Sequence, residues 1–361
     1  MIEGLRQQGV EVYDCHATLW RGIEDRVEQA GGGWRRPCFW WRVIRAYLQL
    51  LRAYWHTPPY DIMLVGYPGQ FDVYLGYLLT RLQRRPMALD ILMSLHLIAE
   101  ERGLTRRSPT TGRLIFWLEK VGLHLPDLLI ADTAEYVRYY CDKYSLEPAR
   151  FALVPLGVDD RIYQPRPELA PPEEEFRVLY YGTFIPLHGV ETMIEAAALL
   201  REHAHIQFHF YGDGQERGRI ENMAQTLRLD NTHFHGWIEK EKLPDVIARA
   251  HLVLGVFGTT KQSRCTVQNK IWEGMMMRRP VVTGDSETIR ESLVHEEHLY
   301  LVERANPRAL ADAILKLAAD VDLRQRMADA ASRRAQENTI GATGARVEAA
   351  LLSLLDRAQN G

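Results

Sequence analysis

The sequence predicts an α/β protein made of two doubly wound domains, and three observations carry that reading. Short apolar runs alternate with longer helical patterns in both halves of the chain. The alternation stops once, at residues 164–175, where four prolines and four glutamates replace any apolar cluster, and then restarts. Glycine turns also separate several apolar runs from the helices that follow, as they do in parallel sheets that bind ligands at strand ends. A chain of 361 residues is long enough for two such domains.

In the first half, strand-like runs fall at 10–13, 62–65, 87–91, 128–131 and 151–154. Helix-like stretches fall at 39–54, 73–82, 114–121 and 134–143. Continuous apolar runs of this length suit strands buried on both faces. In the second half the strands are expected at 178–181, 207–211, 232–235, 252–256, 281–283 and 299–302. Helices are expected at 190–202, 217–227, 243–249, 271–277 and 309–317, with a long final run over 322–359. The domain division is therefore 1–163, a linker at 164–175, and 176–340. A last segment, 341–361, is expected to pack back on the first domain. Residues 2–8 resemble the end of a helix leading to Gly9 and a strand, so the opening strand and glycine loop of such a domain are expected to be absent from this chain.

Composition narrows the function. Hydrophobic residues make up 46% and charged residues 25%, which excludes wholesale disorder. The net charge of −3 provides no global positive field, so no nucleic-acid partner is expected. Four scattered cysteines without metal-ligand spacing point to free thiols in a reducing, cytoplasmic setting. No metal or other cofactor is expected. Asp320 and Asp322 have the spacing of a metal-binding pair, but they lie between two helical runs and read as a turn and N-cap.

Two loops carry the chemistry. Residues 180–190 run from a strand through Gly182 and Gly189 into a helix, where free N–H groups and the helix dipole favour an anion such as phosphate. An ordinary βα turn would look the same. Residues 256–280 form a second loop, bearing Lys261, Arg264 and Lys270, with the carboxylate Glu273 one turn into the following helix. Cations and a helix start suit a diphosphate, and the carboxylate suits a ribose diol. A solvated basic loop is the plainer alternative, and the pairing of two such loops in one domain favours a nucleotide.

The second half resembles the donor-binding domain of a family-4 glycosyltransferase, a retaining enzyme of the GT-B fold, in which two Rossmann-like domains face each other across a cleft. The residues that carry the likeness are Gly182-Thr183-Phe184 with His188-Gly189, Gly212-Asp213-Gly214, His235-Gly236-Trp237 and Asn269-Lys270-Ile271-Trp272-Glu273-Gly274. Val154-Pro155-Leu156-Gly157 is similar to the strand and turn that precede the family's linker. A subgroup with a turn of the GTFIPLHG kind matches better than the family consensus.

The resemblance implies roles. Glu273 corresponds to the second carboxylate of an E-x7-E pair and would hold the ribose, whereas the first carboxylate corresponds to Cys265. The arginine and lysine that clamp the diphosphate correspond to Thr183 and His188. Losing a charged partner costs on the order of 1.5–3 kcal/mol per hydrogen bond, so Lys261, Arg264 and Lys270 are candidates to replace that charge. Gly212, Gly236, Trp237 and Asn269 complete the expected donor site. On the acceptor side, Gly66, Gly69, Asp90 and His96 sit at strand ends facing the expected cleft, with His96 or Asp90 directed at the sugar. A helix-capping Asp90 and a packed His96 would be equally consistent with the sequence.

Residues 34–56 hold five arginines, no acid and four of the eight tryptophans. Such a helix can lie on the inner face of a membrane and reach lipid-linked acceptors, or it can be a core helix with an arginine-rich outer face. The expected function is transfer of a hexose from a UDP or GDP donor to a glycan or lipid-linked acceptor. The rival is a catalytically impaired GT-B protein that serves as a binding partner.

Overall fold

A computed structural model describes residues 1–19 and 37–360. The first half contains helices α1 (Ile2–Gln7), α2 (Pro37–Trp55), α3 (Asp72–Gln83), α4 (Leu95–Glu101), α5 (Leu104–Arg107), α6 (Pro109–His124) and α7 (Ala134–Tyr144). They surround a parallel sheet of strands β1 (Met63–Val65), β2 (Met87–Asp90), β3 (Leu128–Ala131) and β4 (Phe151–Leu153), ordered β1-β2-β3-β4. Helices α3, α6 and α7 cover one face through Val73, Leu123 and Tyr140. The other face is closed by α1 and by the last helix of the chain.

The second half holds strands β5 (Phe176–Tyr181), β6 (Ile206–Tyr211), β7 (Thr232–His235), β8 (Leu252–Leu254), β9 (Val281–Gly284) and β10 (Tyr300–Val302). All are parallel, in the order β10-β9-β8-β5-β6-β7. The connecting helices are α8 (Val190–Leu199), α9 (Arg217–Thr226), α10 (Leu243–Ala248), α11 (Lys261–Cys265), α12 (Asn269–Met276) and α13 (Glu287–Ser292). Then come α14 (Pro307–Ala319), α15 (Val321–Gln336) and α16 (Ile340–Asn360). Because β8 and β6 flank β5, the strand order reverses there, and loops on either side of such a reversal leave a crevice at the carboxyl ends.

Two expectations need correction. Residues 10–13 form no strand: Val10 and Val12 rest on the core beside Leu5 and Val347, but no strand among the described residues pairs with them. Alternation without a ladder partner leaves the backbone irregular. The final helical run is two helices. It breaks at 337–339, where the Asn338 carbonyl accepts from Val158 N–H at 2.8 Å and the Asn338 side chain accepts from Arg346. The chain crosses there from the second half back to the first. Beyond the break, α16 meets α1 through Gly344 and Gly4, and a Cβ on Gly4 would lie 2.9 Å from Gly344 Cα. As read from the sequence, Asp320 caps α15 by accepting from Leu323 N–H.

Candidate functional site

Glycines bring the two anion-favouring loops together. Gly189 has φ +64° and precedes α8, and a Cβ there would strike the backbone of Phe257 and Gly258 in the second loop. Gly212 has φ +130° and packs just as closely on the Gly182 carbonyl. The Gly212 N–H in turn donates to the Gly236 carbonyl at 3.1 Å. Four strand-end loops thus meet backbone to backbone, and at Gly189 and Gly212 only a residue without a Cβ allows it. Trp237, just beyond, is exposed.

At the centre of this meeting lies Lys270. Its side chain is only 7% exposed and its Nζ has no hydrogen-bond partner. The ammonium sits 4.3 Å from the Tyr180 ring centroid, within cation–π range. Burial pulls its pKa down to about 7, against the opposing influence of Glu273. A Cβ on Gly182, whose φ is +139°, would lie 3.0 Å from Lys270 Nζ and 3.5 Å from His188 Cε1. Lys270 and His188 therefore converge beneath Gly182. His188 Nδ1 donates to the Thr183 carbonyl at 2.6 Å, and burial and Lys270 hold its pKa well below the ordinary value, so it is neutral. Thr183 contributes that carbonyl to the turn.

Glu273 follows one turn after Lys270. It lies against the hydroxyls of Tyr163 and Tyr181, the latter donating to the Lys270 carbonyl at 3.2 Å, and burial raises its pKa while those hydroxyls oppose the rise. Asn269 opens α12 and is exposed.

The other predicted cations lie elsewhere. Lys261 pairs with Glu135 of the first half, an ion pair across the domain seam. The whole of α11 docks on that half: Gln262 N–H donates to Glu101, and Thr133 donates to the Cys265 carbonyl. Just beyond α11, Thr266 donates to Asp132. Cys265 is fully buried in a cluster with Leu97 and Tyr136, where burial pushes its thiol up to about 12. It stands in the amino-terminal core and not beside Lys270. A further cation that sequence reasoning missed, Arg304, reaches the second loop. Its guanidinium donates to the Gly258 carbonyl at 2.9 Å and to the Asp285 carbonyl at 2.7 Å. Burial and the neighbouring Arg264 lower its pKa to about 10. Arg264 itself is exposed.

On the acceptor side, Gly66 has open space around it, while Gly69 packs on the Gly66 carbonyl. Asp90 ends β2 and accepts from Tyr67 N–H, with burial raising its pKa to about 6. It caps no helix, because Ser94 performs that role for α4. His96 is buried, with its ring 5.3 Å from that of Phe116 and Nδ1 3.4 Å from Glu100, and burial lowers its pKa. It is packed between helices. Asp132, at the carboxyl end of β3 as Asp90 is of β2, was not predicted. Its Oδ1 has no partner and burial raises its pKa to about 7. Its strand-end position was the available signal. Asp132, Pro155, Trp272 and Thr288 line a cavity of about 130 Å³ at the seam.

Residues 175–320, the part of the chain that holds the Lys270 loops, match the family described as "Glycosyl transferases group 1". The alpha-D-kanosaminyltransferase of Streptomyces kanamyceticus is 34% identical over 171 residues, 46% of this chain and 43% of that protein. The lipopolysaccharide core biosynthesis glycosyltransferase LpsD of Rhizobium meliloti is 27% identical over 163 residues, 45% of each. The chain thus spans less than half the length of these curated relatives. Among solved structures, sucrose-phosphate synthase from Thermosynechococcus elongatus has a TM-score of 0.72 at 19% identity, covering 88% of this chain and 78% of that one. HepE from Anabaena, in complex with UDP and glucose, has a TM-score of 0.66 at 18% identity, covering 81% and 78%. These likenesses show the fold, which is GT-B.

Proposed function

We propose that the protein is a nucleotide-sugar-dependent glycosyltransferase that moves a hexose, with retention, from a UDP or GDP donor to a glycan or lipid-linked acceptor. The observation that carries the reading is the Lys270 ammonium, buried and unpartnered beneath Gly182. An unpaired buried cation costs free energy that an anionic ligand recovers. The backbone N–H groups entering α8 face the same crevice and add a fixed positive field. The named relatives are glycosyltransferases, and the matched stretch is the half that contains this crevice.

In this reading the donor diphosphate lies over Gly182, with Lys270 and the start of α8 meeting its charge. Glu273 exchanges its tyrosine partners for the ribose hydroxyls. As the glycosidic bond to the phosphate lengthens, negative charge grows on the leaving oxygen. A preorganised ammonium in a water-poor site stabilises that charge more than it stabilises the ground state. The departing phosphate takes the proton of the acceptor hydroxyl on the same face of the sugar, so no protein nucleophile is needed. Retention and the subgroup assignment rest on the sequence resemblance. The acceptor enters beside Gly66, Gly69 and Asp90. Cys265, on which an impaired-enzyme reading would rest, belongs to the amino-terminal core.

The test is calorimetric titration with UDP, GDP and ADP. Selective binding of one diphosphate supports the reading and identifies the base, and binding of none overturns it.

A further inference from the structure

The outer surface of the first half is unusual in where it places apolar groups. On α2, Trp41, Ile44, Leu48 and Trp55 are exposed at successive spacings of three, four and seven residues, hence along one stripe. On α3 and just before it, Phe71, Leu78 and Leu82 make a second stripe. On α6, Leu114, Trp117 and Val121 make a third. With Trp40, these account for eleven of the nineteen exposed large apolar side chains among the described residues.

The three stripes are neighbours. Tyr47 of α2 bonds Asp72 at the start of α3. Tyr74 of α3 donates to the Leu118 carbonyl of α6 at 2.5 Å, and Gly122 lets α6 approach Val73. Helices α3 and α6 cover the same sheet face, so their outer sides point the same way.

The charge on this surface is predominantly positive. Residues 37–55, 71–85 and 104–124 carry ten Lys or Arg and two acids, in a chain whose net charge is −3. Neither acid offsets the arginines outside, although Asp127 and Asp61 from flanking segments pair with Arg81 and Arg85. Asp72 bonds Tyr47, and Glu119 is buried, accepting from Ser94, Tyr144 and the N–H groups that open α4. An apolar face with tryptophans and a cationic fringe matches an anionic lipid surface, into which the rings dip while arginines meet headgroups.

We propose that α2, α3 and α6 together form a docking face for an anionic membrane. The face is wider than the tryptophan-rich helix alone, of which residues 34–36 lie outside the described residues. No helix among the described residues is long and apolar enough to cross a membrane, so attachment through this face is peripheral. Phe71 lies two residues after Gly69, which brings the lipid plane to the Gly66–Gly69 loop. This inference goes beyond the transfer reading and does not depend on it.

The experiment is co-sedimentation of the full chain with vesicles of phosphatidylcholine alone or with about 30% phosphatidylglycerol. The protein should sediment only with the anionic vesicles and be released as salt rises from about 0.02 M to about 0.5 M. Replacing one arginine on or at the end of each helix (Arg45→Ala, Arg84→Ala at the carboxyl cap of α3, and Arg113→Ala together) should weaken binding on the order of a hundredfold, at about 1 kcal/mol per residue near the surface. Leu82→Ser with Trp117→Ser, which leaves α2 untouched, should also weaken it. Absence of sedimentation at low salt overturns the proposal, and so does self-association that hides the face. Wild-type binding by the Leu82/Trp117 variant overturns the three-helix face. Circular dichroism verifies folding of each variant, and diphosphate titration without vesicles scores the transfer reading separately.

Discussion

Lys270 Nζ occupies the space into which a side chain at residue 182 would project: a Cβ there would sit 3.0 Å from the nitrogen, in a backbone conformation with φ +139°. The glycine and the lysine are therefore one feature, a gap in the backbone lined by a buried positive charge. Gly182→Ala would strain the turn, by about 1–3 kcal/mol, and displace the ammonium. Nucleotide affinity should fall at least as far as in Lys270→Met, as measured by calorimetry on folded protein. Unchanged affinity in the alanine variant would separate the two residues.

Burial holds the Lys270 pKa near 7, and a bound diphosphate should raise it again. At about pH 8 the empty site is mostly unprotonated, so binding should take up close to one proton. Titrations in two buffers of different ionisation enthalpy measure that uptake, and Lys270→Met should abolish it. Proton release on binding would contradict the assignment.

Single-turnover rates distinguish Lys270 from His188. His188 is neutral and donates Nδ1–H to the Thr183 carbonyl, so it shapes the turn more than it supplies charge. Lys270→Ala should therefore slow transfer far more than His188→Ala. The reverse ranking would return the clamp to the first loop.

Glu273 should contribute to ribose binding on the scale of a charged hydrogen bond. Glu273→Ala is expected to weaken nucleotide binding by about 1.5–3 kcal/mol. Its two tyrosine partners remain, so a thermal melt should separate lost binding from lost folding.

Asp132 predicts a pH dependence of opposite sign to most carboxylates. Its folded-state pKa is raised to about 7 by burial, above the usual aspartate value, so the folded state holds the proton more tightly. Its contribution to stability is best below about pH 4 and is lost as pH rises through 7. Asp132→Asn keeps an acceptor for Thr266 and removes the ionisation. The variant should be more stable than the wild type at about pH 8, by on the order of 1–3 kcal/mol, and equal to it near pH 4. Denaturant titrations at both pH values give the comparison.

Most strands of both sheets were legible in the sequence because each is a short apolar run with a glycine or a polar break behind it. Residues 10–13 show the limit, since their alternation is real but pairing depends on a neighbour that periodicity does not report. The site was legible as two loops, Gly182–Gly189 and the start of α12, because glycine and charge are local signals. Three residues sharing one stretch of sequence then parted in space. Lys270 turned into the crevice, while Lys261 and Cys265 turned away to the other domain, a choice made by Glu135, Thr133 and the core around Tyr136. Arg304 was invisible for the converse reason, lying forty-six residues from the Gly258 carbonyl it supports.

The glycine-to-glycine contact of α1 with α16 has a consequence for biosynthesis. Leu5, Ala88 and Leu128 share a cluster with Val347 and Leu354, so the first half of the chain borrows part of its hydrophobic interior from the last helix. A nascent chain emerging amino-terminus first can pair β1 to β4 early, yet one side of that sheet is covered only in part, by α1, until residues 340–360 have been synthesised. During that interval the order of completion is reversed: the second sheet can close its own core while the first is still waiting.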